Sequence, residues 1–188
     1  MPMRTGLTRR ELAFSAALLA LGGAGVARAA SEEDLAWLRL SASAELVATA
    51  FCAAARRALV LSRGERRRFR EALAADRRHY DLLAGAIGAD APRESDFSIG
   101  FRGRTFESRA RLLTVGAHVK RTLVGLNLGA TEGVSDPALR ALTARIAASE
   151  AAHLSYLSSL AGGAVLGAAM PRVLGVEEAT KELAPFWG

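Results

Sequence analysis

The chain reads as an all-α protein, a four-helix bundle behind an N-terminal leader, on three observations. Apolar residues make up 51% of it, aromatics only 6%, and Ala and Leu dominate. Both are strong helix formers, and the β-branched residues that favour strands are sparse. Beyond the leader, four segments repeat apolar side chains at i, i+3, i+4 spacing, the signature of a helix with one buried face. The 188 residues suffice for one domain with a sizeable core.

Residues 1–29 are expected to be an export signal. Arg4, Arg9 and Arg10 precede an apolar stretch from Leu12 to Val26, and Ala27-Arg28-Ala29 fits a small-x-small cleavage site. The stretch is too short and too broken by glycine for a good transmembrane helix. Thr8-Arg9-Arg10-Glu11-Leu12-Ala13-Phe14 resembles a twin-arginine signal, the route that carries folded proteins. An ordinary secretory signal or an uncleaved anchor are the alternatives. The expectation is an exported, periplasmic protein with no stable membrane span once the leader is cut.

The bundle is assigned to residues 30–165 and a tail with a short helix to 166–188. The first helix is expected from about Glu33 to Leu61. The second runs from near Arg63 to Ile87, where Gly88-Ala89-Asp90-Ala91-Pro92 breaks it. A turn-rich crossover holding Phe97, Phe101 and Phe106 leads to the third, about Glu107 to Leu128, with Gly129 to Val134 closing it. Asp136 is a natural N-cap for the fourth, with Pro137 at its first position, and Leu160 precedes Gly162-Gly163. A last amphipathic piece, Val176 to Leu183, is expected to pack outside an alternating, up-down-up-down style bundle.

Charge and cysteine content narrow the function classes. The formal charge is +6, but Arg4, Arg9, Arg10 and Arg28 against Glu11 account for half of it. No basic patch interleaved with aromatics remains, which argues against nucleic-acid binding. Arg66, Arg67, Arg68, Arg70, Arg77 and Arg78 read as a solvated helix face. Cys52 is the single cysteine, so no internal disulfide can form.

The inner faces carry the functional signal. The first helix presents Leu38, Ala42, Glu45, Ala48, Cys52, Ala55 and Leu59; the second Phe69, Leu73, Asp76, His79, Tyr80, Leu83 and Ile87. The third presents Leu113, Gly116, Ala117, Lys120, Leu123, Val124 and Asn127; the fourth Leu139, Leu142, Ile146, Glu150, His153, Leu157 and Leu160. Each stripe is apolar except near its middle. An unpaired buried charge costs several kcal/mol, so chance placement on all four faces is a poor explanation. Asp76-x-x-His79 and Glu150-x-x-His153 each set a carboxylate and an imidazole about one turn apart on one face. Such a donor set suits iron, manganese or zinc.

With these residues, about 34–165 of the chain resembles the ferritin-like family, whose di-iron or di-manganese sites use one Glu on each of two helices and Glu-x-x-His on the other two. Glu45 matches the lone Glu of the first helix. Asp76 and His79 match the second helix's pair with Asp for Glu, and Glu150 and His153 match the fourth's. Lys120 stands where the third helix should offer Glu. Val124-Gly125-Leu126-Asn127-Leu128-Gly129-Ala130 and Asp136-Pro137-Ala138-Leu139-Arg140 are similar to exported bacterial members.

The lysine leaves the three carboxylates and one ammonium at a net charge that one divalent ion would balance. The resemblance therefore implies one ion, iron or manganese before zinc, held by Glu45, Asp76, His79 and Glu150, with His153 in the ligand set. Lys120 would replace the second ion and pair with Glu150. Redox chemistry in such a site would be weak, since the family works with two metals. The alternative is a metal-free relic, its charges a buried salt-bridge network, serving as a structural or partner-binding module of the cell envelope. Nothing points to a storage shell. His118 reads as a surface residue, Cys52 as a small buried apolar one, and Tyr80, Tyr156, Trp37 and Trp187 as packing residues.

Overall fold

A computed structural model describes residues 30–162 and 171–187. The leader and the first part of the tail lie outside those residues. Among the described residues the architecture is four long helices and one short one: α1 Glu32–Ala55, α2 Arg63–Ile87, α3 Arg109–Gly133, α4 Pro137–Leu160 and α5 Val176–Leu183.

Each long helix starts on a side chain that satisfies its free amides. Ser31 accepts from Asp34 N, and Ser62 forms a reciprocal capping box with Glu65. Ser108 caps α3, and Asp136 accepts from Ala138 N at 2.8 Å and Leu139 N at 3.0 Å, with Pro137 following as expected.

Two helix ends differ from the periodicity-based expectation. α1 stops at Ala55 rather than Leu61, and the chain descends through turns in which Ala58 and Leu61 are buried while Leu59 is 92% exposed. Leu59 therefore does not belong to the inner stripe. Arg56 and Arg57 precede the turn, and the chain must reverse there to enter α2. α3 continues through Gly129 to Gly133 instead of closing at Leu128. These glycines are sites of close approach, not helix breakers. A Cβ on Gly129 would strike the carbonyl of Leu174 and sit 3.0 Å from the Trp37 ring; one on Gly133 would enter the same indole.

Three tethers fix the directions. Arg109, opening α3, donates to Glu65 in the first turn of α2 at 2.7 Å, so these two helices run parallel. Asp34, opening α1, accepts from Ser135 N at 2.7 Å just beyond α3, so α1 and α3 are antiparallel. Arg109 also donates to the carbonyl of Leu160 at the end of α4. The order is thus up, down, down, up, not the alternating one expected. Residues 88–108 are long enough to run the length of the bundle and make this possible.

The core has three apolar clusters. Phe51, Phe69, Leu112, Leu113 and Leu157 fill one end of the bundle, with Phe101 and Phe106 of the crossover 5.5 and 5.6 Å from the Phe51 ring. Leu38, Ala42, Leu83 and Ile146 fill the other. α5 lies outside the four helices but seals α1 and α3, burying Ala179 and Leu183 against Val47, Leu123 and Leu126. Ile99 pairs with Trp187 in a single antiparallel bridge, and Phe97 stacks on the Trp187 indole. Between the two end clusters lies a polar layer.

Candidate metal centre

That layer is assembled from one or two residues of each long helix. Glu45 comes from α1, Asp76 and His79 from α2, Lys120 from α3, Glu150 and His153 from α4. Glu45, Asp76, Lys120 and Glu150 are wholly or almost wholly buried, and the two imidazoles are more accessible, His79 at 12% and His153 at 25% side-chain exposure. Every residue expected at the site converges on one interior region.

Two subgroups share the carboxylates. In the first, donor atoms of Glu45, Asp76, His79 and Glu150 all lie within 4.8 Å of one another. His79 Nδ1 is 3.0 Å from Glu150 Oε1 and 3.3 Å from Glu45 Oε1. In the second, Lys120 Nζ sits 2.7 Å from both Asp76 Oδ1 and Glu150 Oε2. The expected pairing with Glu150 is present, and a second with Asp76 accompanies it. His153 stands at the edge: its Nδ1 is 3.5 Å from Glu150 Oε1 and 3.9 Å from Asp76 Oδ1, and it falls outside the tight group of four.

Burial and like charge set the protonation of this layer. Burial and the facing charge of Glu150 push the Glu45 carboxyl up to about 8. Burial would lower His79, but hydrogen bonding and charge from Glu150 and Glu45 outweigh it and lift the imidazole to about 9. Burial raises Asp76 against the pull of Lys120. Glu150 is held well below the usual carboxylate range, because Lys120, His153 and His79 overcome its desolvation. Lys120 stays charged despite burial, held by Glu150 and Asp76.

The donor set fits a cation. Oε2 of Glu45 and Oδ2 of Asp76 are buried without a hydrogen-bond partner among the described residues, and the Oε1 atoms of Glu45 and Glu150 share a single imidazole nitrogen, Nδ1 of His79. Buried polar atoms are normally paired. Here several lone pairs converge on common space, which a positive ion would satisfy together. A first-row ion holds its oxygen and nitrogen donors at about 2.0–2.2 Å, a separation that small side-chain adjustments reach from the observed spacing.

The remaining candidates have other roles. Tyr80 donates to the Pro92 carbonyl at 2.9 Å and anchors the start of the crossover. The Arg68 guanidinium lies 6.0 Å over the Tyr156 ring. Cys52 is fully buried, its thiol pushed up mainly by burial, with Asp76 and Lys120 close by. His118 is half exposed beside Glu182 and the Phe186 ring, under α5. Periodicity gave no hint of a cavity of about 250 Å³ that opens between α2 and α4 and reaches Lys120 and His153. A void is a property of how helices cross, and no residue pattern announces it.

Comparison with known proteins agrees with this geometry. Among curated proteins, none matches the chain in sequence. The family model for the ferritin-like domain matches residues 33–163, from the first turn of α1 to just past α4. With four helices in that span and a carboxylate–histidine layer across their middle, the chain belongs to the ferritin-like family.

Proposed function

We propose that this protein is an exported ferritin-like protein that binds one divalent transition-metal ion through Glu45, Asp76, His79 and Glu150, with His153 at the edge. The observation that carries the reading is the set of buried donor atoms of α1, α2 and α4 that lie within 4.8 Å of one another, with Oε2 of Glu45 and Oδ2 of Asp76 lacking a hydrogen-bond partner among the described residues. Oxygen and nitrogen donors in this proportion favour iron, manganese or zinc. Lys120 takes the place of a second ion. Its ammonium already draws on one oxygen each of Asp76 and Glu150, and a second divalent ion there would meet a fixed positive charge.

Iron or manganese would supply one-electron redox chemistry. The chain's own contribution is to exclude water with the apolar clusters on either side, to orient His79 between Glu45 and Glu150, and to hold the protons that leave when an ion enters. The paired arginines at Arg9 and Arg10 and the Ala27-Arg28-Ala29 triplet support export. A mature N-terminus near Ala30 on protein recovered from the periplasm would bear this out.

The test is metal titration of chelator-stripped protein. Manganese, zinc or anaerobic ferrous iron should raise the melting temperature and saturate at one equivalent per chain. Two tightly bound equivalents would refute the single-ion reading. No shift with any of the three would favour the second reading, a metal-free structural or partner-binding module. One observation favours that alternative: with Glu45 and His79 protonated, Lys120 and the His79 imidazolium together balance the charges of Asp76 and Glu150 without an ion.

A further inference from the structure

The cavity between α2 and α4 is built from residues other than the four proposed ligands. Phe51, Phe69, Leu157 and the ring of Tyr156 form its walls, and Lys120 and His153 bound it on the side of the carboxylates. None of Glu45, Asp76, His79 or Glu150 lines it. Lys120 and His153 therefore stand between the carboxylate layer on one side and an apolar cavity on the other. The mouth is at the surface, where Arg68, Glu71 and Ala152 are exposed.

We propose that this cavity binds a small uncharged molecule made of one aromatic ring with a single oxygen substituent, a phenol-class ligand. Size comes first. A dry apolar cavity of about 150 Å³ accepts benzene, so about 250 Å³ holds a ring with a substituent. The walls select an aromatic body, since Phe51, Phe69 and Tyr156 offer ring faces and edges. The deep side selects the oxygen. Lys120 has three ammonium hydrogens, and Asp76 and Glu150 account for two. His153 turns Nδ1 toward the carboxylates, and no hydrogen bond engages its Nε2 among the described residues. The same wall rejects an anion: the charge of Lys120 is already matched by two carboxylates directly behind it, so a second anionic head would lose its hydration without gaining an unpaired cation.

The test uses the whole mature chain with chelator present, so that its outcome is independent of whether the carboxylate layer holds an ion. Phenol is titrated at neutral pH and followed by calorimetry and by two-dimensional NMR, with benzoate as the anionic comparison. The expected result is saturable binding of one phenol per chain, nuclear Overhauser contacts from its ring to the Leu157 methyls, and affinity for benzoate weaker by at least about tenfold. Ala152 lies at the exposed lip, so Ala152→Phe should fill the mouth, leave the helical circular dichroism unchanged and weaken phenol by a similar factor. Absence of saturable phenol binding, contacts to residues elsewhere, or equal affinity for benzoate would each overturn the proposal. Unchanged phenol affinity in a folded Ala152→Phe variant would do the same.

Discussion

The ammonium of Lys120 lies 2.7 Å from Oδ1 of Asp76, a buried, hydrogen-bonded ion pair between α3 and α2. Because the same nitrogen is 2.7 Å from Glu150 on α4, one side chain ties three helices together at mid-height. Lys120→Met would take the ammonium away from two buried carboxylates, a loss of about 3–5 kcal/mol when a buried pair is broken on one side. Denaturant melts of the metal-free protein should show that loss, and saturating manganese should recover part of it.

Lys120→Glu tests the second-ion position directly. It replaces the resident ammonium with a carboxylate and should raise the metal content of manganese-loaded protein from one ion per chain to two, read by elemental analysis. A variant that folds but still holds one ion would show that the missing ligand is not what limits occupancy.

Glu45→Gln separates metal binding from folding. The Glu45 carboxyl is pushed up to about 8 by burial and by Glu150, so at neutral pH it already resembles a neutral amide. The metal-free variant should melt within a few degrees of the parent, while the melting shift produced by manganese or zinc should disappear.

The stability of the metal-free protein should fall as pH rises. His79 holds its proton up to about 9 when folded, against an ordinary imidazole value of about 6.5. Its contribution is complete below 6.5 and is lost as pH climbs through 9. Glu45 also binds its proton more tightly when folded, so it costs stability progressively between pH 4.5 and 8. Chemical denaturation from pH 6.5 to 9 should show the decline. Metal affinity should move the opposite way, rising with pH as bound protons give way to the ion.

The spacing that places a carboxylate and an imidazole on one helix face, Asp76 with His79 and Glu150 with His153, could be read from sequence because it depends only on the helical repeat. So could the cap at Asp136, which is local. What depends on how helices cross could not. The second partner of Lys120 requires α2 and α3 to face each other across the bundle with their first turns at the same end, and that follows from the path of residues 88–108. The extension of α3 through Gly133 was hidden for a related reason. Glycine marks both helix ends and close contacts, and only the position of Trp37 distinguishes them.

Gly129→Ala tests that distinction. Glycine is a poor helix former, so the change would stabilise an exposed helix by roughly 1 kcal/mol. At this position the new methyl would collide with the Leu174 carbonyl and the Trp37 ring, and overpacking of this kind costs about 1–3 kcal/mol. A lower urea midpoint with unchanged slope is the expected outcome.

Ile99 and Gly100 of the crossover are held by Trp187 and by the carbonyl of Phe186, the latter at 2.9 Å. A ribosome makes residues 99 and 100 well before 186 and 187, so this clasp cannot close while the later segment is still inside the exit tunnel. The four helices can gather as they emerge, but the strap across them stays unfastened until synthesis has passed Trp187. Sealing of the bundle is therefore a late step, after the four helices have emerged.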